Sequence, residues 1–208
     1  MILEKPIAPD VEAAARLADE VARAGVASVV VLILRYAPET RQWLAGADQL
    51  GPWYGGNGRW LSGALLGGDY VDSTWRHDSG ALADIGPHAI DLMDAALGPV
   101  REVVAAHLAP PDLWHLLLAH DRGAASAITL SLKVPVDPSA MSFDVYGEHG
   151  RLELAARQTP AVPCYTTMLD ELVAMVRTGQ TSHPCDVHRG VHLQRIIDDA
   201  YRLARARG

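Results

Sequence analysis

The sequence predicts an α+β protein, an open and mostly antiparallel sheet with helices packed on one face, preceded by a helix–strand unit. Three observations carry this. Five short strand-like segments, 101–108, 113–120, 124–134, 141–147 and 151–155, follow one another and are separated by turn residues. One of them alternates, with Ile128, Leu130, Leu132 and Val134 on one side and Thr129, Ser131 and Lys133 on the other, the period of a half-buried strand. Helical apolar spacing appears before this block and again after it.

In chain order, the first helix opens at Asp10, a capping residue, continues with apolar positions at Val11, Ala14, Ala15, Leu17, Ala18 and Val21, and stops at Gly25. The run 27–34, "ASVVVLIL", suits a strand buried on both faces. Pro38 starts a second helix. Residues 50–58, "LGPWYGGNG", read as a glycine-rich turn and 59–66 as a strand. The glycines do not have G-x-G-x-x-G spacing or a strand-to-helix context, so they are not taken for a dinucleotide loop. Residues 79–98, "SGALADIGPHAIDLMDAALG", start an amphipathic helix with Asp84 and His88 four positions apart. The segment "YGEHGRL" closes a hairpin. Two final helices carry stripes of Leu169, Leu172, Val173 and Val176, then Leu193, Ile196, Ile197, Ala200 and Leu203, with Asp186 as cap of the second.

Composition narrows the function. With 208 residues, 49% of them hydrophobic and 21% charged, the chain can bury a substantial core. A net charge of −7 argues against nucleic acid, whose binding is driven by basic side chains displacing counterions. No apolar run approaches the ~20 residues of a membrane span and the first residues lack signal architecture, so a cytosolic protein with no membrane partner is expected. Two cysteines, Cys164 and Cys185, do not make a disulfide scaffold. His183, Cys185, His188 and His192 have ligand chemistry, but a loop leading into a helix accounts for their spacing, and no metal is expected.

Taken in order, "EKP" at 4–6, "LRYAP" at 34–38, "WR" at 75–76, "GALADIGPHAIDL" at 80–92, "GEHGRL" at 147–152 and "LDELVAMVRTGQ" at 169–180 resemble the Gfo/Idh/MocA oxidoreductases over essentially the whole chain. The resemblance implies that residues 1–45 correspond to the end of a Rossmann nucleotide-binding domain, most of which is missing. Residues 46–208 then correspond to the substrate and dimerisation domain. It also implies that Lys5 sits beside the nicotinamide and that Asp84 and His88 handle the substrate hydroxyl proton. Arg35, Tyr36, Trp75 and Arg76 are candidate substrate-binding residues, the last two more specific to this sequence than to the family pattern. Trp53, Tyr54 and Trp60 are further aromatic candidates for the substrate face. Ile33 and Leu34 replace the Gly-Phe pair common in relatives, and Gly80 stands alone where relatives have a glycine run.

The chemistry asks for these residue types. A histidine moves a hydroxyl proton near neutral pH, and a place in the first turn of a helix disfavours its charged form. A carboxylate orients the ring, and a lysine polarises a substrate oxygen. Outside such a site, Asp84 reads as a helix-capping carboxylate, His88 as a satisfied half-buried ring, Lys5 as a surface lysine and Asp91 as a capping or supporting group.

No residue here supplies the glycine turn that holds a pyrophosphate, so no cofactor is expected for this chain alone. The leading expectation is cofactor-independent acid–base chemistry (dehydration, isomerisation, epimerisation or cyclisation) on a hydroxylated or keto small molecule, by a homodimer formed through the open sheet. One alternative is a fragment of a dehydrogenase using NAD or NADP, and another is a non-catalytic binding or dimerisation module. Either way the 27–34 strand needs a cover, from a second subunit or by repacking.

Overall fold

Asp10 accepts a hydrogen bond from the backbone N–H of Ala13, and Gly25 ends the helix at φ 62°, a left-handed conformation that costs glycine little. Between them runs α1 (Val11–Ala24), bounded as the sequence predicts. In the computed structural model, which describes residues 1–206, α1 buries Ala14, Ala18 and Val21 against Val187 and Val191 of the last helix.

The run 27–34 departs from expectation. Only Val29–Val30 forms a strand (β2), paired in parallel with β1 (Ile2–Leu3), and the chain then winds into a short 3₁₀ turn, Ile33–Tyr36. The cover is internal. Val29 and Val31 donate to the carbonyls of Met1 and Leu3, Val30 donates to that of Cys185, and Val29 through Leu32 are buried. An apolar run enclosed on all sides looks the same in sequence whether it is a strand or a core turn.

After α2 (Pro38–Leu50) comes β3 (Trp53–Leu61), so the glycine-rich stretch is a strand rather than a turn, and the predicted strand at 59–66 leaves the sheet at Ser62. The glycines are there for close approach. A Cβ on Gly56 would lie 2.5 Å from the Asp144 carbonyl and 2.6 Å from Met93 Cε, and one on Gly55 2.8 Å from the Ala125 carbonyl. Two helices follow, α3 (Thr74–Asp84) and α4 (Gly86–Leu97), then β4 (Val100–Ala109), β5 (Leu113–His120), β6 (Ala125–Ser131), β7 (Ala140–Gly147) and β8 (Gly150–Leu154). α5 (Ala161–Thr178) and α6 (Val187–Arg205) complete the described chain.

The six-stranded sheet has the order β4-β5-β6-β3-β7-β8, antiparallel except for the β3–β6 pair. Placing β3 between β6 and β7 sends residues 62–124 out and back, and this excursion carries α3 and α4 onto the inner face. There α4 packs on β3, β6 and β7, while α6 packs on β4. Trp114, Leu116, Leu118, Ile128, Leu130, Phe143 and Val145 point inward. One core cluster joins these to Val29–Leu32 and to α5 and α6.

The α5 stripe is also corrected. The helix buries Cys164, Met168, Leu172 and Met175, whereas Leu169, Val173 and Val176 are exposed. Both sets are apolar at helical spacing, so periodicity did not choose between them.

Candidate functional site

Three backbone features bring the site residues together. Gly80 breaks the helical path inside α3 at φ 70°, ψ −173°, and Asp112 in the β4–β5 connection accepts from the Ala81 N–H through both carboxylate oxygens at 3.2 and 3.0 Å. The last turn, Ala81–Asp84, is thereby pressed into the core. Pro87 in the first turn of α4 fixes the entry of that helix and places His88 beside it. The segment leaving β1 delivers Lys5.

Lys5 Nζ donates to the backbone carbonyl of Asp84 and to its Oδ1, each at 2.5 Å, and Arg76 Nε donates to Oδ2 at 2.8 Å. Asp84 is therefore neither a cap of α4, whose N-cap Ile85 makes no side-chain bond, nor the partner that orients His88. Its two oxygens serve the two cations. Burial works to raise the Asp84 pKa, but Lys5 and Arg76 outweigh it and hold the carboxyl below its ordinary value. Lys5, with a side chain 13% exposed, is not a surface lysine.

His88 is 6% exposed and lines the same cavity, with its ring centroid 6.0 Å from that of Trp60. Its Nδ1 is buried without a hydrogen-bond partner. Burial first, and the Lys5 charge second, push its pKa down to about 3, with Asp84 opposing only in part. The ring is a neutral imidazole.

The cavity is about 590 Å³. Lys5, Arg76, Asp84 and His88 form its polar wall, and Trp60, Trp75, Tyr70 and Tyr165 its aromatic one. The Arg76 guanidinium lies over Tyr70 at 4.4 Å and Trp75 at 5.4 Å, and its Nη1 donates to Ser73 Oγ at 3.2 Å. Ser62 and Ser139, whose hydroxyls pair at 3.0 Å, close another side. Tyr70, Tyr165 and the serines escaped the sequence reading, because each stands in a loop or on a helix flank with no periodic or motif signal.

Other expected residues lie elsewhere. Arg35 and Tyr36 line a separate cavity of about 320 Å³ with Arg41, Glu171, His183 and Cys185. Arg35 faces Asp91 at 3.7 Å, and Tyr36 stacks on His183. The 3₁₀ turn divides between the two cavities: Ile33 lines the first, whereas Arg35 and Tyr36 face the second. Trp53 is held by the Ala47 carbonyl, and Tyr54 is exposed on the outer sheet face. His183 binds Glu171 and His192 binds Asp94. Among the described residues no three His, Cys, Asp or Glu side chains converge as metal ligands.

Residues 41–153 match the GFO/IDH/MocA C-terminal domain. No curated protein sequence matches the chain. Among solved structures, GenD2 from gentamicin A biosynthesis, crystallised with NAD, superposes with a TM-score of 0.84 at 19% identity over 100% of this chain and 70% of its own. The WlbA dehydrogenase of Bordetella pertussis, in complex with NADH and UDP-GlcNAcA, gives 0.80 at 24% identity over 100% and 70%. A myo-inositol dehydrogenase of Corynebacterium glutamicum gives 0.80 at 16% identity over 99% and 70%. At these identities the likeness is one of fold.

Proposed function

Because the chain belongs to the Gfo/Idh/MocA family, we propose that its oxidoreductase-like fold presents an acid–base site for a hydroxylated or keto small molecule, built on His88, Asp84 and Lys5. The observation that carries this reading is the cavity wall itself, where a neutral buried imidazole stands beside two cations pinned to one carboxylate.

Each group has a role that follows from its bonds. Lys5 spends two of its three N–H groups on Asp84, leaving one for a substrate oxygen. Asp84 holds Lys5 and Arg76 in place. With its pKa near 3, His88 rests as a neutral ring whose unprotonated nitrogen can take a proton from the substrate; the negative charge this leaves on the substrate oxygen is met by the free Lys5 N–H and raises the imidazole pKa as the proton arrives, and the imidazolium returns that proton to the substrate in the second half of the reaction. Trp60 and Trp75 give an apolar surface for the ring or carbon face of the substrate and exclude water.

Isomerisation, epimerisation, dehydration and cyclisation need only such proton transfers. The test is deuterium uptake from D₂O into a panel of keto and hydroxy acids and sugars, followed by proton NMR. Uptake by the wild type that is lost in His88→Ala and Lys5→Met supports the reading; uptake unchanged in both variants removes it and leaves a binding module.

A second reading is favoured by the neighbours crystallised with NAD or NADH. A dinucleotide would supply hydride chemistry. Its pyrophosphate needs a glycine turn between a strand and a helix. Here β1 leads to α1 through Glu4–Asp10, which contains no glycine, and β2 leads into the 3₁₀ turn. The described residues do not fit that group, and the reading requires a further nucleotide-binding module. Calorimetric titration with NADH and NADPH separates the two, since saturable one-to-one binding would put the dehydrogenase reading first.

We further propose self-association through the outer sheet face, where Leu117 and Tyr146 are exposed, and a cytoplasmic location. No helix among the described residues is long and apolar enough to cross a membrane.

A further inference from the structure

The wall of the acid–base cavity carries more positive than negative charge. Lys5 and Arg76 share the carboxylate of Asp84 and the His88 imidazole is neutral, so one cation is left over. Glu4 also lines the cavity, but it is exposed and water screens it. At the imidazole the charges of Lys5 and Arg157 act against that of Asp84. In a chain whose net charge is −7 this is a local excess. A partly buried cation without a partner is costly, and a bound anion removes the cost.

Arg76 is the group placed to receive that anion. Its Nε donates to Asp84 Oδ2 at 2.8 Å and its Nη1 to Ser73 Oγ at 3.2 Å, whereas Nη2 donates to no described residue and is open to solvent. The guanidinium lies over the ring of Tyr70 at 4.4 Å and that of Trp75 at 5.4 Å, so its plane is held before any ligand arrives. The planar N–H fork of a guanidinium matches the two oxygens of a carboxylate.

The rest of the cavity would orient such a ligand. Lys5 is bound to Oδ1 of Asp84 and Arg76 to Oδ2, so the carboxylate keeps the two cations as separate points of attachment. Two such points fix the direction of a ligand as well as its position. The hydroxyls of Ser62 and Ser139, 3.0 Å apart, are acceptors and donors for further hydroxyl groups.

We propose that the substrate of this cavity is a hydroxy or keto carboxylic acid of the uronate or aldonate kind, with its carboxylate on Arg76 and its reacting oxygen at Lys5 and His88, and that Arg76 selects the acid over its neutral counterpart. The proposal rests on the acid–base reading of the same cavity and narrows its substrate class.

The test is calorimetric titration of the full chain with matched pairs, galacturonate against galactose, glucuronate against glucose and gluconate against glucitol, on the wild type, Arg76→Met, Arg76→Lys and His88→Ala, with urea midpoints as fold controls. The wild type is expected to bind at least one acid about tenfold or more tighter than its neutral partner, the scale of one charge-assisted hydrogen bond. Arg76→Met should erase this ratio, and Arg76→Lys, which keeps the charge and loses the fork, should retain only part of it and answers the question where Arg76→Met does not fold. His88→Ala should leave the ratio unchanged. A merely structural Arg76 would weaken both members of a pair alike; a ratio that survives both Arg76 variants therefore overturns the proposal, as does equal affinity within every pair, or no saturable binding of any acid, in the wild type. Deuterium uptake from D₂O on the same compounds keeps the two readings apart. Uptake into acids and neutral compounds alike, with equal affinity, sinks the selection by Arg76 and leaves the acid–base site standing, whereas an Arg76-dependent preference for acids without uptake sinks the acid–base site and leaves the selection standing.

Discussion

Replacing Asp84 by Asn tests the electrostatic account of the cavity. The substitution keeps the size of the side chain and one acceptor but leaves Lys5 and Arg76 facing each other without an anion. Their side chains are 13% and 28% exposed, and that of Asp84 is 11% exposed, so solvent screens the loss only in part. Two charges 4 Å apart interact by about 4 kcal/mol at an effective dielectric near 20, and removing one partner of a buried pair costs ~3–5 kcal/mol. Discounting for the exposure of Arg76 and for the acceptor that Asn keeps, the expected cost is about 2–3 kcal/mol. For a chain of this size that lowers Tm by about 4–12 °C. The assay is urea denaturation at pH 7, read as a shift in midpoint with unchanged slope. Adding Lys5→Met to Asp84→Asn should then recover about 1 kcal/mol, because the second change removes the stranded cation. A cost below about 0.5 kcal/mol, or strict additivity of the two changes, would refute the claim that the carboxylate serves chiefly to hold the cations.

His88 predicts a pH dependence. Its unfolded form takes up a proton near pH 6.5 while the folded ring stays neutral down to about pH 3, so its stabilising contribution is present above 6.5 and is lost as pH falls. Between pH 7 and 5 the wild type should lose about 2 kcal/mol more than His88→Phe in urea midpoints; equal losses would mean that the ring titrates normally. Gly80→Ala forces a positive φ on alanine and sets Cβ 2.7 Å from Asp112 Oδ1, for about 2–3 kcal/mol, whereas Gly67→Ala, with nothing within 4 Å, should be near neutral. Thermal melts that rank the two together would contradict the tight fit at Gly80. Gly56→Ala meets the Asp144 carbonyl at 2.5 Å and should cost about 3 kcal/mol, with no rescue from Met93→Ala because the backbone contact remains. Recovery in that double variant would show that the side chain, not the strand, sets the spacing.

How much of this was legible depends on whether the signal is local. Asp10 and Gly25 bound α1 because capping and left-handed turns are properties of single residues. The β5 strand and the Gly147–Gly150 hairpin are likewise where the sequence put them. The glycine strand β3 was not legible, because its glycines answer to Met93 and Asp144, which are distant in sequence. The exposed stripe of α5 resembled a core face for the same reason, since neighbours decide which apolar flank is covered. At the site, the motif resemblance singled out Lys5, Asp84, His88 and Arg76, and they do share a cavity. It could not show that Asp84 turns to the cations instead of to the imidazole, or that the 3₁₀ turn carries Arg35 and Tyr36 into a different cavity.

Two adjacent residues of α6 hold the walls of the cavity in register. Arg189 grips α4 from below: its Nε donates to Asp91 Oδ1 at 2.6 Å, Nη1 donates to Asp94 Oδ2, and Nη2 donates to the Asp91 carbonyl at 2.9 Å. Burial alone would raise the Asp94 pKa, but His192 and Arg189 bring it down to about 2, so the clamp stays charged at any pH where the protein would work. Such a buried network is weak evidence for net stability, since apolar side chains of equal volume often do as well. What it does supply is a fixed depth and rotation for α4, one turn beyond His88. The next residue, Gly190, leaves room for Ile7, whose side chain would come within 2.7 Å of a Cβ there. Ile7 stands two residues past Lys5. The imidazole wall and the ammonium wall are thus referenced to consecutive positions of one helix, and α6 acts together with the two Lys5–Asp84 bonds in setting the spacing between His88 and Lys5.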